Sequence, residues 1–143
     1  MDKKTSVTQT SSVRQILVNH GVRPTSQRVE IARLLFAAQD HFSAEQVVRM
    51  VGRGSNYVSR ATVYNTLNLF MESGLVRQLV VDTGKIFYDS NTTPHYHYYN
   101  SQTGELYDID PSTIDLTGLQ ELPAGMEVEG IDIIIRLRSS TRH

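Results

Sequence analysis

The stretch from Ser59 to Asp89, "SRATVYNTLNLFMESGLVRQLVVDTGKIFYD", changes its hydrophobic period midway. Val63, Leu67 and Phe70 recur at helical spacing, Ser59 stands where an N-cap hydroxyl belongs, and Gly74 marks a helix stop. Past Gly74 the runs "LVRQLVV" and "KIFYD" are β-rich, and Asp82-Thr83-Gly84 is a short hairpin connection between them. A helix followed at once by a two-stranded ribbon predicts the closing half of a winged helix-turn-helix.

Working outward, helical punctuation recurs at close intervals on the N-terminal side. Ser11 or Ser12 can cap a short helix with Val13, Ile16 and Leu17 on one face, ending at His20-Gly21. Thr25 or Ser26 can cap a second, striped by Ile31, Leu34, Leu35 and Ala38. Ser43 with Gln46 three residues on is a capping box, opening a third helix with Val47, Val48 and Val51 inward. Three or four helices before a ribbon complete the winged-helix order. In that architecture the last helix enters the DNA major groove and the ribbon follows the backbone.

Composition narrows the chemistry. The chain has 143 residues, 39% of them hydrophobic, and carries a net charge of −1. No apolar run approaches transmembrane length, and "MDKKTSVTQTSS" lacks the apolar segment of a secretory signal, so a cytoplasmic protein is expected. With no cysteine at all, disulfides, thiolate zinc sites and cysteine nucleophiles are excluded together. The charge is also unevenly placed. Residues 1–88 hold 11 Lys and Arg against 6 Asp and Glu, a balance of +5; residues 89–143 hold 3 against 9, a balance of −6. A basic first half suits a polyanion partner. On the fourth helix Ser59, Arg60, Thr62, Tyr64 and Asn65 are groups that can meet phosphates, base edges and thymine methyls, with Arg23, Arg28, Arg53 and Arg77 placed to add phosphate contacts.

A second stretch, "TTPHYHYYNSQTGELYDID" (92–110), holds two of the five histidines. On a strand His95 and His97 share a face while Tyr96 and Tyr98 point the other way. Paired imidazoles on a rigid face begin a metal site. "YHYYN", "GELYDI" and "IDIIIRLR" read as three strands, the last apolar enough to be covered on one face. Between the second and third, "STIDLTGLQEL" supplies a short helix or an irregular segment with Ile114, Leu116 and Leu119 inward.

These residues together resemble the ferric uptake regulator (Fur) family of metal-dependent repressors. The resemblance is carried by "GVRPTSQRVEIARLL" (21–35), "HFSAEQV" (41–47), "SRATVYNTLNLFMESGLV" (59–76), "FYD" (87–89), the His-x-His at 95–97 and "GELYDID" (104–110). Within the family, "LPAGMEVEGIDIIIRLRSS" (122–140) looks like the iron response regulator branch, Irr, which senses iron through haem. The Asp-for-Glu choices look like the peroxide sensor branch, PerR. The resemblance implies an α+β protein: a winged-helix DNA-binding domain (1–88), a hinge (89–94) and a small α/β dimerisation and metal-sensing domain (95–143). It also implies a homodimer on a palindromic operator in double-stranded DNA, away from any membrane.

Carried over position by position, the family's regulatory metal site falls on His41, Asp89, His95, His97 and Asp108. Imidazole and carboxylate donors suit Fe(II), Mn(II) or Zn(II). Taken singly, each has a blander reading, as a cap, a surface group or a turn former. His20 and His143 match no family position and read as surface histidines. The family's usual structural zinc site needs two Cys-x-x-Cys pairs; Asn100 and Thr103 stand at the first, so that zinc is excluded. Irr-like haem binding is weakened, because "PHYH" replaces three consecutive histidines and no Cys-Pro motif is present, though His95 or His97 remains an available axial ligand. Metal availability, peroxide and haem are the three signals the resemblance implies. A cupin-type metalloenzyme is the competing class. It wants a Glu where Ser101 and Gln102 stand, and no Ser-His-Asp or phosphate-loop signature appears.

Overall fold

The computed structural model describes residues 10–38, 41–52, 57–92, 96–118 and 121–140. Arg53, His95, Leu119 and His143, named above, lie outside the described residues. The chain divides into two compact units, residues 1–92 and 93–143. Among the described residues no helix is long and apolar enough to cross a membrane.

The first unit begins with α1 (Thr10–Asn19) and α2 (Ser26–Ala38). α1 opens at Thr10, so Ser11 and Ser12, the two caps expected for it, both lie inside the helix. Its end is set by Gly21, whose φ of +74° lets Gly21 N donate to Val18 O (3.0 Å) and Val22 N to Leu17 O (2.8 Å). That paired closure satisfies carbonyls the last turn would otherwise leave bare, at a backbone angle that a Cβ would strain. Of the two caps expected for α2, Thr25 is the one used: its Oγ1 accepts from Arg28 N at 3.2 Å.

After a two-residue strand β1 (His41–Phe42), α3 (Ala44–Val51) carries the capping box in full. Gln46 N donates to Ser43 Oγ (3.2 Å) and Ser43 N to Gln46 Oε1 (2.8 Å). α4 (Arg60–Glu72) is capped by Ser59, whose Oγ accepts from Thr62 N at 3.1 Å. It is closed like α1, with Gly74 at φ +81° and Leu75 N donating to Phe70 O at 2.9 Å. The four helices bury one cluster: Val13 and Leu17 from α1, Ile31 and Leu35 from α2, Val47 and Val51 from α3, and Val63, Leu67 and Phe70 from α4.

β2 (Arg77–Asp82) and β3 (Lys85–Asp89) form the antiparallel wing, with a register shift between Val80 and Asp82 just before the turn. The sheet order is β1-β3-β2. Tyr88 of β3 is buried against the helical cluster, which ties the wing to the helices. β1 was not expected, because two residues are too few to show any period. It pairs with β3 so that His41 faces Asp89 and Phe42 faces Tyr88.

In the second unit β4 (Tyr96–Asn100) lies between antiparallel β5 (Leu106–Ile109) and parallel β6 (Ile134–Leu137). Between β5 and β6 the irregular alternative holds among the described residues, apart from a single 3-10 turn at Pro111–Thr113 capped by Asp110. Gly118, Pro123, Gly125 and Gly130 interrupt any helical run there. Register sorts the sheet into two faces. Tyr98 stands opposite Tyr107 and beside Ile135, with Tyr96 opposite Ile109; the other face carries His97, Asp108, Tyr99 and Arg136. Tyr98, Tyr107, Ile135 and Leu137 remain substantially exposed, so the first face presents an apolar row to solvent.

Leu67 has no exposed surface and sits amid the cluster, so Leu67→Ala should destabilise the first unit by about 2–5 kcal/mol. A urea unfolding series reads this directly, and a loss below 1 kcal/mol would mean the core is not centred on α4.

Candidate metal centre and reading face

Among the described residues each unit brings one histidine beside an aspartate, and both pairs arise from strand register. In the first, the β1–β3 ladder puts His41 beside Asp89, with Nε2 to Oδ2 at 3.1 Å and side chains only 7% and 2% exposed. The other carboxylate oxygen of Asp89 accepts from Asn91 N at 2.8 Å. That bond fixes the carboxylate plane, which is the kind of outer support that orients metal-binding groups. In the second unit β4 pairs with β5 so that His97 stands across from Asp108, Nε2 to Oδ1 at 3.4 Å. His97 is buried and Asp108 is half exposed.

Among the described residues, His41, Asp89, His97 and Asp108 are the candidate metal ligands. Two imidazoles and two carboxylates offer nitrogen and oxygen donors with no sulfur, a set that fits Fe(II), Mn(II) and Zn(II) and disfavours the softer thiophilic metals. A carboxylate as enclosed as that of Asp89 stays charged only with partners close by; His41 and Asn91 N stand against it, and a cation would be one more.

Most of the residues expected to face DNA lie at two places in the first unit, a groove between α2 and α4 and a contact between α3 and α4. Ser59 and Thr62 are committed to the start of α4: besides the cap, Ser59 Oγ donates to Thr62 Oγ1 at 2.9 Å. Arg28, Thr62 and Asn65 line a groove of about 430 Å³ between the start of α2 and α4, together with Thr25, Gln27 and Thr66. Arg28 also braces the approach to α2 by donating to Arg23 O at 2.9 Å. Arg77 opens β2 opposite Asp89. Arg60 and Tyr64 both meet Glu45 of α3, Tyr64 Oη at 2.6 Å. Sequence reasoning passed over Glu45 because no spacing rule links α3 to α4. It also passed over Tyr57, which stands 85% exposed just before the α4 cap.

Mn(II) at about a hundredfold its Kd should raise the unfolding free energy by about 2.7 kcal/mol. EDTA should reverse the gain, and His97→Ala should abolish it; a thermal shift equal in wild type and variant would place the ion elsewhere.

The comparisons with known proteins agree with this donor chemistry. A match to the ferric uptake regulator family spans residues 19–136. The peroxide-responsive repressor PerR of Staphylococcus saprophyticus is 32% identical over 99 residues, 69% of this chain and 67% of that protein. PerR of Staphylococcus aureus is 34% identical over 89 residues, 62% of this chain and 60% of that protein. The chain therefore aligns with about 60 to 67% of the length of these curated relatives. The solved ferric uptake regulator from Pseudomonas aeruginosa with manganese superposes with a TM-score of 0.73 at 26% identity, covering 90% of this chain and 98% of that one. The chain belongs to the ferric uptake regulator family.

Proposed function

We propose that the chain is a metal-dependent, DNA-binding transcriptional repressor of metal-homeostasis or oxidative-stress genes, working in the cytoplasm as a homodimer on a palindromic operator. Family regulators are not enzymes, and this chain is read the same way. The observation that carries the reading is the distribution of candidate ligands: a buried His–Asp pair in the unit with the reading helix, and a buried histidine beside a half-exposed aspartate in the unit with the apolar sheet face.

A bound divalent cation supplies attraction, and the ligands decide what it holds together. His41 and Asp89 move with α4 and its Arg60, Tyr64 and Asn65, whereas His97 and Asp108 move with β4 and β5. If both pairs close on one ion, the arrangement of units that lets them do so is favoured over all others. His95, the fifth position implied by the family resemblance, would complete the set. A second copy of the chain is the occupant proposed for the apolar face of Tyr98, Tyr107, Ile135 and Leu137, and a twofold dimer would present two α4 helices to two half-sites. The domain limits proposed remain 1–88, 89–94 and 95–143.

Peroxide is the favoured signal, since both PerR proteins above are named for it and the two carboxylates in the set are aspartates. After Fe(II) and hydrogen peroxide, peptide mass spectrometry should find a gain of one oxygen on His41 or His95. A Soret band in the purified protein, with no such gain, would favour haem instead. For DNA reading, Tyr64→Ala should weaken binding to an in vitro selected duplex by tenfold or more with Mn(II) content unchanged. Equal binding by wild type and variant, or wild-type binding indifferent to EDTA, would refute the regulator reading.

A further inference from the structure

Glu45 is the second residue of α3, and neither the metal centre nor the reading face makes use of it. Its backbone is held by the Ser43–Gln46 capping box that closes around it, and an acid in the first turn suits the positive end of a helix. Those local reasons account for an acid at this position but not for where its side chain goes. On its own helix Arg49 is the partner four residues on. The carboxylate instead reaches across to α4, where Oε1 accepts from the Arg60 guanidinium and from Tyr64 Oη. Arg60 and Tyr64 are themselves one helical turn apart, so a single oxygen engages both.

The contact lies in the open. The Arg60 side chain is 61% exposed, that of Glu45 45%, and Tyr64 38%. Hydrogen bonds from Tyr64 and then Arg60 hold the Glu45 carboxyl below its ordinary range, and Glu45 in turn holds the Tyr64 phenol above its own. Glu45 is therefore an anion at neutral pH and Tyr64 a hydrogen-bond donor. An exposed carboxylate thus occupies donors of Arg60 and Tyr64 for which a DNA phosphate would compete.

Resting on the DNA-reading role proposed for α4, we infer that Glu45 is an internal competitor for Arg60 and Tyr64, a specificity determinant that releases the two side chains only to a duplex satisfying both. On arbitrary sequence, a phosphate offers Arg60 one anion in exchange for another, and the exchange gains little. On a matching duplex, Tyr64 gains a base-edge or thymine-methyl contact as well, and the trade becomes favourable. Glu45 therefore lowers non-specific binding more than specific binding. A strut that merely presented Arg60 and Tyr64 to DNA would act with the opposite sign.

The test is anisotropy titration of the full-length Mn(II)-loaded protein between 50 and 200 mM KCl, on a selected duplex and on a scrambled duplex of the same length. Glu45→Gln should tighten binding to the scrambled duplex by about tenfold. Its salt slope should steepen by about 0.9, the signature of one added phosphate contact. Binding to the selected duplex should tighten by no more than about fivefold with its slope unchanged, so discrimination falls. In an Arg60→Ala background the same substitution should change scrambled-duplex affinity by less than twofold, which separates competition for Arg60 from general charge repulsion. Weaker binding of Glu45→Gln to the selected duplex would establish the strut and overturn the proposal, as would scrambled-duplex affinity within twofold of wild type. If wild type discriminates between the duplexes and Arg60→Ala impairs this while Glu45→Gln fails as stated, only the competitor role falls. If wild type does not discriminate at all, the regulator reading falls and takes this one with it.

Discussion

Two cross-strand pairings underlie the proposed chemistry: His41 opposite Asp89 and His97 opposite Asp108. Side chains alternate between the faces of a strand, so a slip of one residue in either ladder would turn its histidine away from its aspartate. The first register is held by Phe42 against Tyr88, the latter buried in the helical cluster. The second is held on both sides of β4, with Tyr98 across from Tyr107 on β5 and beside Ile135 on β6. Ordinary packing of apolar and aromatic residues thus fixes where the candidate ligands stand, and the ligands need only modest support of their own.

A cysteine-free chain must also close its second unit without thiolate zinc. At the turn after β4, Asn100 Oδ1 accepts from Gln102 N and Thr103 N at 2.9 and 3.1 Å, and Gly104 N donates to Asn100 O at 2.8 Å. The tail is laced to this turn: Ser101 N donates to Leu137 O at 3.1 Å, and Ser139 N to Gln102 Oε1 at 2.8 Å. Asn100 and Thr103 occupy the positions where the family resemblance places its first cysteine pair, so hydrogen bonds join turn and tail here. Several exposed hydrogen bonds of about 1 kcal/mol each are individually weak, but none of them is lost to a chelator or an oxidant.

Much of the first unit was legible because its signals are local. Ser43 with Gln46, Ser59 before α4, and Gly21 and Gly74 after their helices act within a turn of chain, and each does what its spacing predicts. β1 was invisible for the complementary reason: two residues make a strand only because β3 lies alongside them. The segment after β5 stayed ambiguous because Ile114 and Leu116 fit a helix as readily as a loop, while the glycines and the proline that interrupt it come later. For the site, residue chemistry pointed to His97 and its neighbour His95. Asp108 comes within 3.4 Å of His97 from the adjacent strand, and only the hairpin register makes that pair. Glu45 was out of reach for the same reason, its partners being 15 and 19 residues away.

The central claim is that a single ion takes ligands from both units. Isothermal titration of Mn(II) into wild type, His41→Ala, Asp108→Ala and the double variant tests it most directly, because the two substitutions lie in different units. One shared ion predicts a stoichiometry of one per chain in wild type, a loss of affinity of tenfold or more in either single variant, and strong non-additivity in the double. Additive losses, or a single variant that keeps one ion at undiminished affinity, would mean that the two pairs act separately and that metal does not couple the reading helix to the rest of the molecule.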